Sequence, residues 1–228
     1  MGKNGSSEPV ILQLRAVLRG ISPLIWRRLL TRSDSSIAQL HEVLQIAFGW
    51  EDMHLHRFEI RGREYGVNRG GGAFFDTDAR KVLIGDLKLR RMERFAYEYD
   101  FGDSWMHDIR IEATLPIDAT KIYPLCIAGK RSAPPEDCGG PYAFMQKRWQ
   151  YELIGGGESR EDLEDLVDDV EDEEEREINR RYHPDRFDRR SINRRLAALS
   201  TAPGGSDHET HDSTAARGRR RPAAHRTD

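Results

Sequence analysis

The stretch FAYEYDFGDSWMHDIRI, residues 95–111, carries the most structural information in the chain. Phe95, Tyr97 and Tyr99 alternate with Ala96, Glu98 and Asp100; further on, Trp105, His107, Ile109 and Ile111 alternate with Met106, Asp108 and Arg110. A period of two places each set on one side of an extended chain. Between the runs, Phe101-Gly102-Asp103-Ser104 has the composition of a chain reversal, because glycine reaches positive φ without steric cost and a short carboxylate bonds its own backbone. The segment predicts a β-hairpin with an inner face of aromatic, histidine and isoleucine side chains.

Working outward, Val10, Leu12, Leu14, Ala16 and Leu18 share one side of residues 10–19, with Gln13, Arg15 and Arg19 on the other. That is a half-buried strand. Gly20 and Pro23 interrupt it, and residues 24–30, including Trp26, predict its antiparallel partner. Ser36 and Gln39 have the spacing of a capping box; Ile37, Leu40, Val43, Leu44, Ala47 and Phe48 then recur at helical intervals, and Gly49 suits the helix end. His54, His56, Phe58 and Ile60 predict a further strand. Residues 62–72 read as a Gly-rich flexible loop, and residues 81–89 as either strand or turn.

Residues 116–141 hold five prolines and three glycines and read as loop, with Cys126 and Cys138 inside it. Pro141 suits the first position of a helix running to about residue 153, closed by Gly155-Gly156-Gly157. A second helix is expected through the acidic block, with Leu163, Leu166, Val167 and Val170 as its apolar stripe. Asp188 caps a short last helix that carries Ile192, Leu196 and Leu199. The tally is five or six strands, one helix among them and two or three after. The expected class is α+β: a mostly antiparallel sheet, an early amphipathic helix packed on it, and C-terminal helices. The opening order strand, strand, helix, strand is that of a β-grasp module and of several other layouts. One domain is expected over residues 10–199, between a disordered N-terminus, 1–9, and a disordered tail, 200–228.

The chain has 228 residues, two cysteines and a mean hydropathy of -0.73. Its longest apolar run falls far short of the roughly 20 residues that cross a bilayer, and MGKNGSSEPV lacks the apolar stretch of a secretory signal. A soluble, cytoplasmic chain with no membrane partner is expected. The near-neutral net charge of -3 conceals a division: residues 158–177 carry 13 acidic and 2 basic side chains, which leaves +8 elsewhere. Such a block is ordinarily a solvated helix face or linker, and uneven charge alone specifies no partner.

Several groups bear on chemistry. His54 and His56, two apart on a predicted strand, would point the same way; with His107 they form a candidate ligand set, and Asp100, Asp103 and His41 are further donors. Neither HExxH nor paired CxxC accompanies them, so no cofactor is expected, with a divalent metal as the alternative. The cysteine spacing fits zinc ligation, a disulfide or two unrelated thiols; the last suits a reducing compartment, and Cys138, just before a predicted helix, is the better candidate nucleophile. Asp100 and Asp103 have a sufficient explanation in the hairpin turn. Gly70-Gly71-Gly72 and Gly155-Gly156-Gly157 lack the Lys-Ser/Thr of a phosphate loop, and Arg219-Arg220-Arg221 is a slight footprint for nucleic acid.

Four segments together, LHEVLQIAFGW (40–50), HLHRF (54–58), YDFGDSWMH (99–107) and PPEDCGGP (134–141), resemble the plasmid pRiA4b ORF-3-like family, and the likeness extends over about residues 10–199. The resemblance implies an α+β bacterial domain without an established activity. Some relatives carry a transposon-associated or resolvase-like label. A serine recombinase would place its nucleophilic serine just after the first strand and end in a helix-turn-helix, and Ser22 before Pro23 does not fit. Family members often have a cysteine where this chain has Ala133, which removes one thiol from any shared cysteine site. The reading favoured is a non-catalytic binding or accessory domain, with a recognition surface drawn from His41, Trp50, His54, His56, Tyr99, Asp100, Asp103, Trp105, His107 and Cys138. Its partner would be protein or nucleic acid. The alternatives are a metal-dependent, hydrolase-like enzyme using His54, His56 and His107, and a nucleic-acid-binding protein using the +8 remainder.

Overall fold

A computed structural model describes residues 8–68, 74–155 and 186–201. The strands are β1 (Ile11–Leu18), β2 (Trp26–Arg32), β3 (His56–Ile60), β4 (Arg63–Gly66), β5 (Thr77–Asp78), β6 (Arg94–Tyr99), β7 (Trp105–Leu115) and β8 (Leu125–Lys130); the helices are α1 (Ile37–Phe48), α2 (Gly140–Gly155) and α3 (Arg189–Thr201). All eight strands form one sheet in the order β5-β4-β3-β6-β7-β1-β2-β8, antiparallel throughout except for the two-residue β4–β5 pairing. The expected α+β class is the one observed. The strand, strand, helix, strand opening is present, and β1 is flanked in the sheet by β2 and β7.

The hairpin that dominates the sequence is the β6–β7 pair, with Tyr97 opposite His107 and Tyr99 opposite Trp105. Its inner residues Phe95, Tyr97, Tyr99, Trp105, His107, Ile109 and Ile111 are buried. They join Leu14, Ala16 and Leu18 of β1, Leu29 of β2, and Phe58 and Ile60 of β3 in one core. Helix α1 lies on this face. Ser36 and Gln39 make the reciprocal capping box, and Gly49, at φ 85, closes the helix in the left-handed conformation that favours glycine. Arg27, buried in β2, donates from Nε to the Ala47 carbonyl at 2.7 Å, which satisfies one of the acceptors a helix end leaves open.

The opposite face of the sheet is polar. Glu112 accepts from Gln13, Arg28 and Arg110, Arg19 pairs with Asp108, and Arg57 pairs with Glu98 and Glu64. Arg15 and Arg28 lie against the Trp26 ring. One face is thus hydrophobic and the other charged, as an antiparallel sheet permits.

Two expectations change, and one open alternative is decided. Residues 63–66, inside the expected Gly-rich loop, form β4: Arg61 and Gly62, both at positive φ, make a two-residue reversal whose twist suits a hairpin. Residues 125–130, inside the expected proline-rich loop, form β8. Residues 81–89 fall into two short 3₁₀ turns, Ala79–Lys81 and Ile84–Leu87. The acidic helix expected over residues 158–177 and both expected disordered ends lie outside the described residues, except that 8, 9, 200 and 201 are within them.

Among the described residues β8 has a strand neighbour on one side only, and α3 packs against it. Asp188 caps α3, accepting from the Ser191 N–H at 2.9 Å, and Leu196 is fully buried. Asn193 faces Cys126 of β8: its Oδ1 accepts from the Cys126 N–H at 2.8 Å and its Nδ2 donates to the Cys126 carbonyl at 3.0 Å. A side-chain amide thereby makes the pair of bonds that a ninth strand would make.

Candidate functional site

At one end of the sheet three connections meet: residues 49–55 between α1 and β3, residues 100–104 of the hairpin turn, and residues 131–139 before α2. Hydrogen bonds between distant segments hold them. The Trp50 indole N–H donates to the Pro134 carbonyl at 2.9 Å, and the Glu51 N–H to Glu136 at 3.0 Å. The Met53 N–H donates to the Tyr99 hydroxyl at 3.0 Å, and that hydroxyl donates to Glu136. The Asp100 N–H donates to the Leu55 carbonyl at 2.9 Å, and the Gly139 N–H to Asp103 at 3.1 Å. Most of these bonds use backbone groups, so the loops fix one another's path as well as their side chains.

Two histidine–carboxylate groups result. In the first, His41 of α1 stacks on His56 of β3, the ring centroids 3.4 Å apart and the planes at 9°. His41 Nε2 lies 2.8 Å from Asp52 Oδ1, and its Nδ1 lies 2.8 Å from the Tyr97 hydroxyl. Gln45 donates from its side-chain amide to the same hydroxyl at 2.9 Å and accepts from the Asp52 N–H at 3.0 Å. The Tyr97, Gln45, His41 and Asp52 groups pair consistently when the phenol donates to His41 Nδ1 and His41 Nε2–H donates to Asp52. Burial keeps Tyr97 a neutral phenol by pushing its pKa well above the ordinary value.

In the second group, His54 Nε2 lies 3.0 Å from Asp137 Oδ1 and 3.7 Å from Asp100 Oδ2. Asp100 is 7% exposed, and its other oxygen accepts from the N–H groups of Gly102 at 2.9 Å and Asp103 at 3.3 Å. The His54 ring meets Tyr99 edge-on at 5.8 Å. Asp52, Asp100 and Asp137, the three carboxylates of the two groups, all have left-handed backbone, at φ 58, 57 and 57. Among side-chain-bearing residues, Asp and Asn adopt that region most readily.

His54, His56 and His107 therefore do not share one site. Strand β3 starts at His56, so the alternation expected from residue 54 onward does not reach His54, which follows a turn through Asp52. His54 goes to Asp100 and Asp137, and His56 to His41. His107 is fully buried between Trp50, Phe48 and Tyr97, with its Nδ1 3.0 Å from the Trp105 carbonyl. Burial lowers its pKa to about 3, so it stays neutral. Trp105, at 0% exposed, belongs to the same sealed core. Cys126 and Cys138 are both free. Burial pushes each thiol up to about 11, so Cys138, although just before α2, is not held as a thiolate. Tyr99 is also raised, by burial first and then by its bond to Glu136.

Of the residues singled out from the sequence for a recognition surface, His54, Asp103 and Cys138 are partly exposed at this end of the sheet, whereas His41, Trp50, His56, Tyr99 and Asp100 are buried beneath it. Sequence reasoning missed Asp52, Glu136 and Asp137. Two of these stand in the PPEDCGGP motif, and their acidity was the available signal. Residues 50–55, 100–104 and 134–140 together hold six carboxylates, Glu51, Asp52, Asp100, Asp103, Glu136 and Asp137, and neither lysine nor arginine.

A sequence profile of the plasmid pRiA4b ORF-3-like protein family matches residues 10–195. The chain is 34% identical over 137 residues to the uncharacterized protein y4hQ of Sinorhizobium fredii (strain NBRC 101917 / NGR234), a match that covers 60% of this chain and 70% of the relative. It is also similar in fold to the crystal structure of the protein of unknown function MM3350 from Methanosarcina mazei Go1, with a TM-score of 0.65 and 28% identity, over 82% of this chain and 98% of the other.

Proposed function

The chain belongs to the plasmid pRiA4b ORF-3-like family, and from that premise we propose that it is a non-catalytic binding domain whose working surface is the acidic, histidine-bearing loop end of the sheet. The partner is a protein segment rich in lysine or arginine. One observation carries this reading: residues 50–55, 100–104 and 134–140 meet at one end of the sheet with six carboxylates and neither lysine nor arginine among them. Asp137 and Asp52 have side chains 65% and 44% exposed, and Met53, next to Asp52 in the chain and 67% exposed, supplies apolar contact there. Such a surface attracts cationic side chains and repels phosphate. On the sheet's outer face, Arg19, Arg28, Arg57 and Arg110 are paired with carboxylates, which weakens the case for nucleic acid there. The protonated thiols of Cys126 and Cys138 and the sealed His107 argue against nucleophilic or acid–base work by those groups. The plasmid in the family name supports an accessory role beside a mobile element.

Fluorescence polarisation of the full chain with a labelled nine-lysine peptide, a nine-glutamate peptide and a duplex oligonucleotide tests the proposal. The lysine peptide should bind, with affinity falling as salt rises, and Glu51→Gln/Asp52→Asn should weaken it about tenfold. Binding of the duplex in preference to the lysine peptide overturns the reading. So does lysine-peptide binding that is indifferent to the double substitution, because the acidic run 158–177 would then be its holder.

A further inference from the structure

We propose that His54, Asp100 and Asp137 form a binding site for one divalent first-row transition-metal ion. The inference rests on donor geometry and is independent of the basic-peptide reading. One ligand atom from each residue lies within 4.8 Å of the other two. Donors held about 2.1 Å from a common ion stand roughly 3–4 Å apart, and His54 Nε2 is 3.0 Å and 3.7 Å from its two carboxylate oxygens. That nitrogen is buried, yet it makes no hydrogen bond, even to the Asp137 oxygen 3.0 Å away. A buried ring nitrogen beside two carboxylates, at 3.0 Å from one without hydrogen-bond geometry and at 3.7 Å from the other, is what donors aimed at a shared third atom produce.

The support behind the donors is already in place. The Asp100 side chain is 9% exposed and is fixed by the Gly102 and Asp103 N–H groups on Oδ1, which leaves Oδ2 toward His54. Its own N–H is tied to Leu55, next in the chain to His54. Asp137 is held close by the Gly139 bond to Asp103. Such outer contacts orient metal ligands and raise affinity. One imidazole with two carboxylates favours Zn²⁺ or Mn²⁺ over Ca²⁺ and Mg²⁺, which take oxygen donors. Among the described residues three protein donors meet here, and Asp137 is open to solvent, so water or a ligand's donor atom completes the coordination.

Calorimetric titration of the full chain, without a histidine tag, with Zn²⁺ and Mn²⁺ tests the site. The expected result is one tightest site per chain, weakened at least tenfold by Asp137→Asn and by His54→Gln. Asp137→Asn suits the exposed left-handed position, so a loss of binding there is not a loss of fold; circular dichroism verifies this. Asp52→Asn, in the neighbouring histidine group, should leave the site unchanged. X-ray absorption of the Zn²⁺ complex should show nitrogen and oxygen neighbours only. Absence of a stoichiometric site, indifference to Asp137→Asn, loss on Asp52→Asn alone, or a sulfur neighbour from Cys138 would each overturn the assignment. Peptide binding and metal binding are read by different substitutions, so failure of one leaves the other standing.

Discussion

Trp50 and Pro134 are joined by an indole N–H to carbonyl hydrogen bond of 2.9 Å across 84 residues of sequence. The bond fastens the PPEDCGGP segment to the end of α1. The Trp50 ring itself is 2% exposed, stacked on Tyr99 at 5.0 Å and Phe48 at 5.5 Å. Trp50→Phe removes the donor, leaves a buried carbonyl unpaired and opens a small cavity. A loss of about 2–4 kcal/mol in unfolding free energy is expected, measured by urea titration. An unchanged midpoint would show that the Pro134 carbonyl finds another partner at no cost.

Gly140, the first residue of α2, has φ +77, and a Cβ there would sit 2.5 Å from the Asp103 carbonyl oxygen. Gly49 has φ +85 with nothing within 4 Å. Gly49→Ala should cost only the conformational penalty, about 1 kcal/mol. Gly140→Ala must also move backbone, so its melting temperature should fall clearly further. Equal shifts would mean that residues 103 and 140 separate freely.

Glu112 is lowered to about 2 from its ordinary 4.5, chiefly by its bond to Arg28 and then by Gln13 and Arg110. A depressed carboxylate contributes stability that is fully present above its unfolded value and is lost as pH falls through its folded value. Stability should therefore decline between about pH 4.5 and 2. Glu112→Gln should flatten that part of the curve, as followed by denaturant unfolding at a series of pH values.

His107 works in an adjoining window. Its folded pKa of about 3 lies below the ordinary 6.5, so between these values the unfolded chain binds a proton that the folded chain refuses. Stability should fall as pH drops from 6.5 towards 3. His107→Leu should reduce the slope between pH 6.5 and 4.5, above the range in which Glu112 titrates. A slope unaltered by the substitution would show that another group sets it.

The β6–β7 hairpin, β1, α1 and the cap of α3 were legible because each buries one face, and burial imposes a period of two or a stripe at helical spacing. Strand β8 was not. Its partners are β2 on one side and the Asn193 side chain on the other, and neither leaves a repeat in LCIAGK. Strand β4 hid behind its reversal, since Arg61-Gly62 gave the glycine signal of a loop while Arg63–Gly66 is too short to show alternation. Of the site, the histidines and the hairpin aspartates were evident as residue types, but their grouping was not. The left-handed Asp52 turns the chain before β3, so His54 and His56 serve different clusters although only Leu55 separates them.

The amide of Asn193 has a consequence beyond its own helix. A sheet that stops after β8 offers its last row of N–H and C=O groups to any passing extended chain, another copy included, and end-to-end growth of this kind leads toward fibres. One short polar side chain, carried by a helix far along the sequence, occupies that row at Cys126. Truncation before residue 186 would thus do more than remove a helix: it would leave the Cys126 N–H and carbonyl of β8 open to another extended chain.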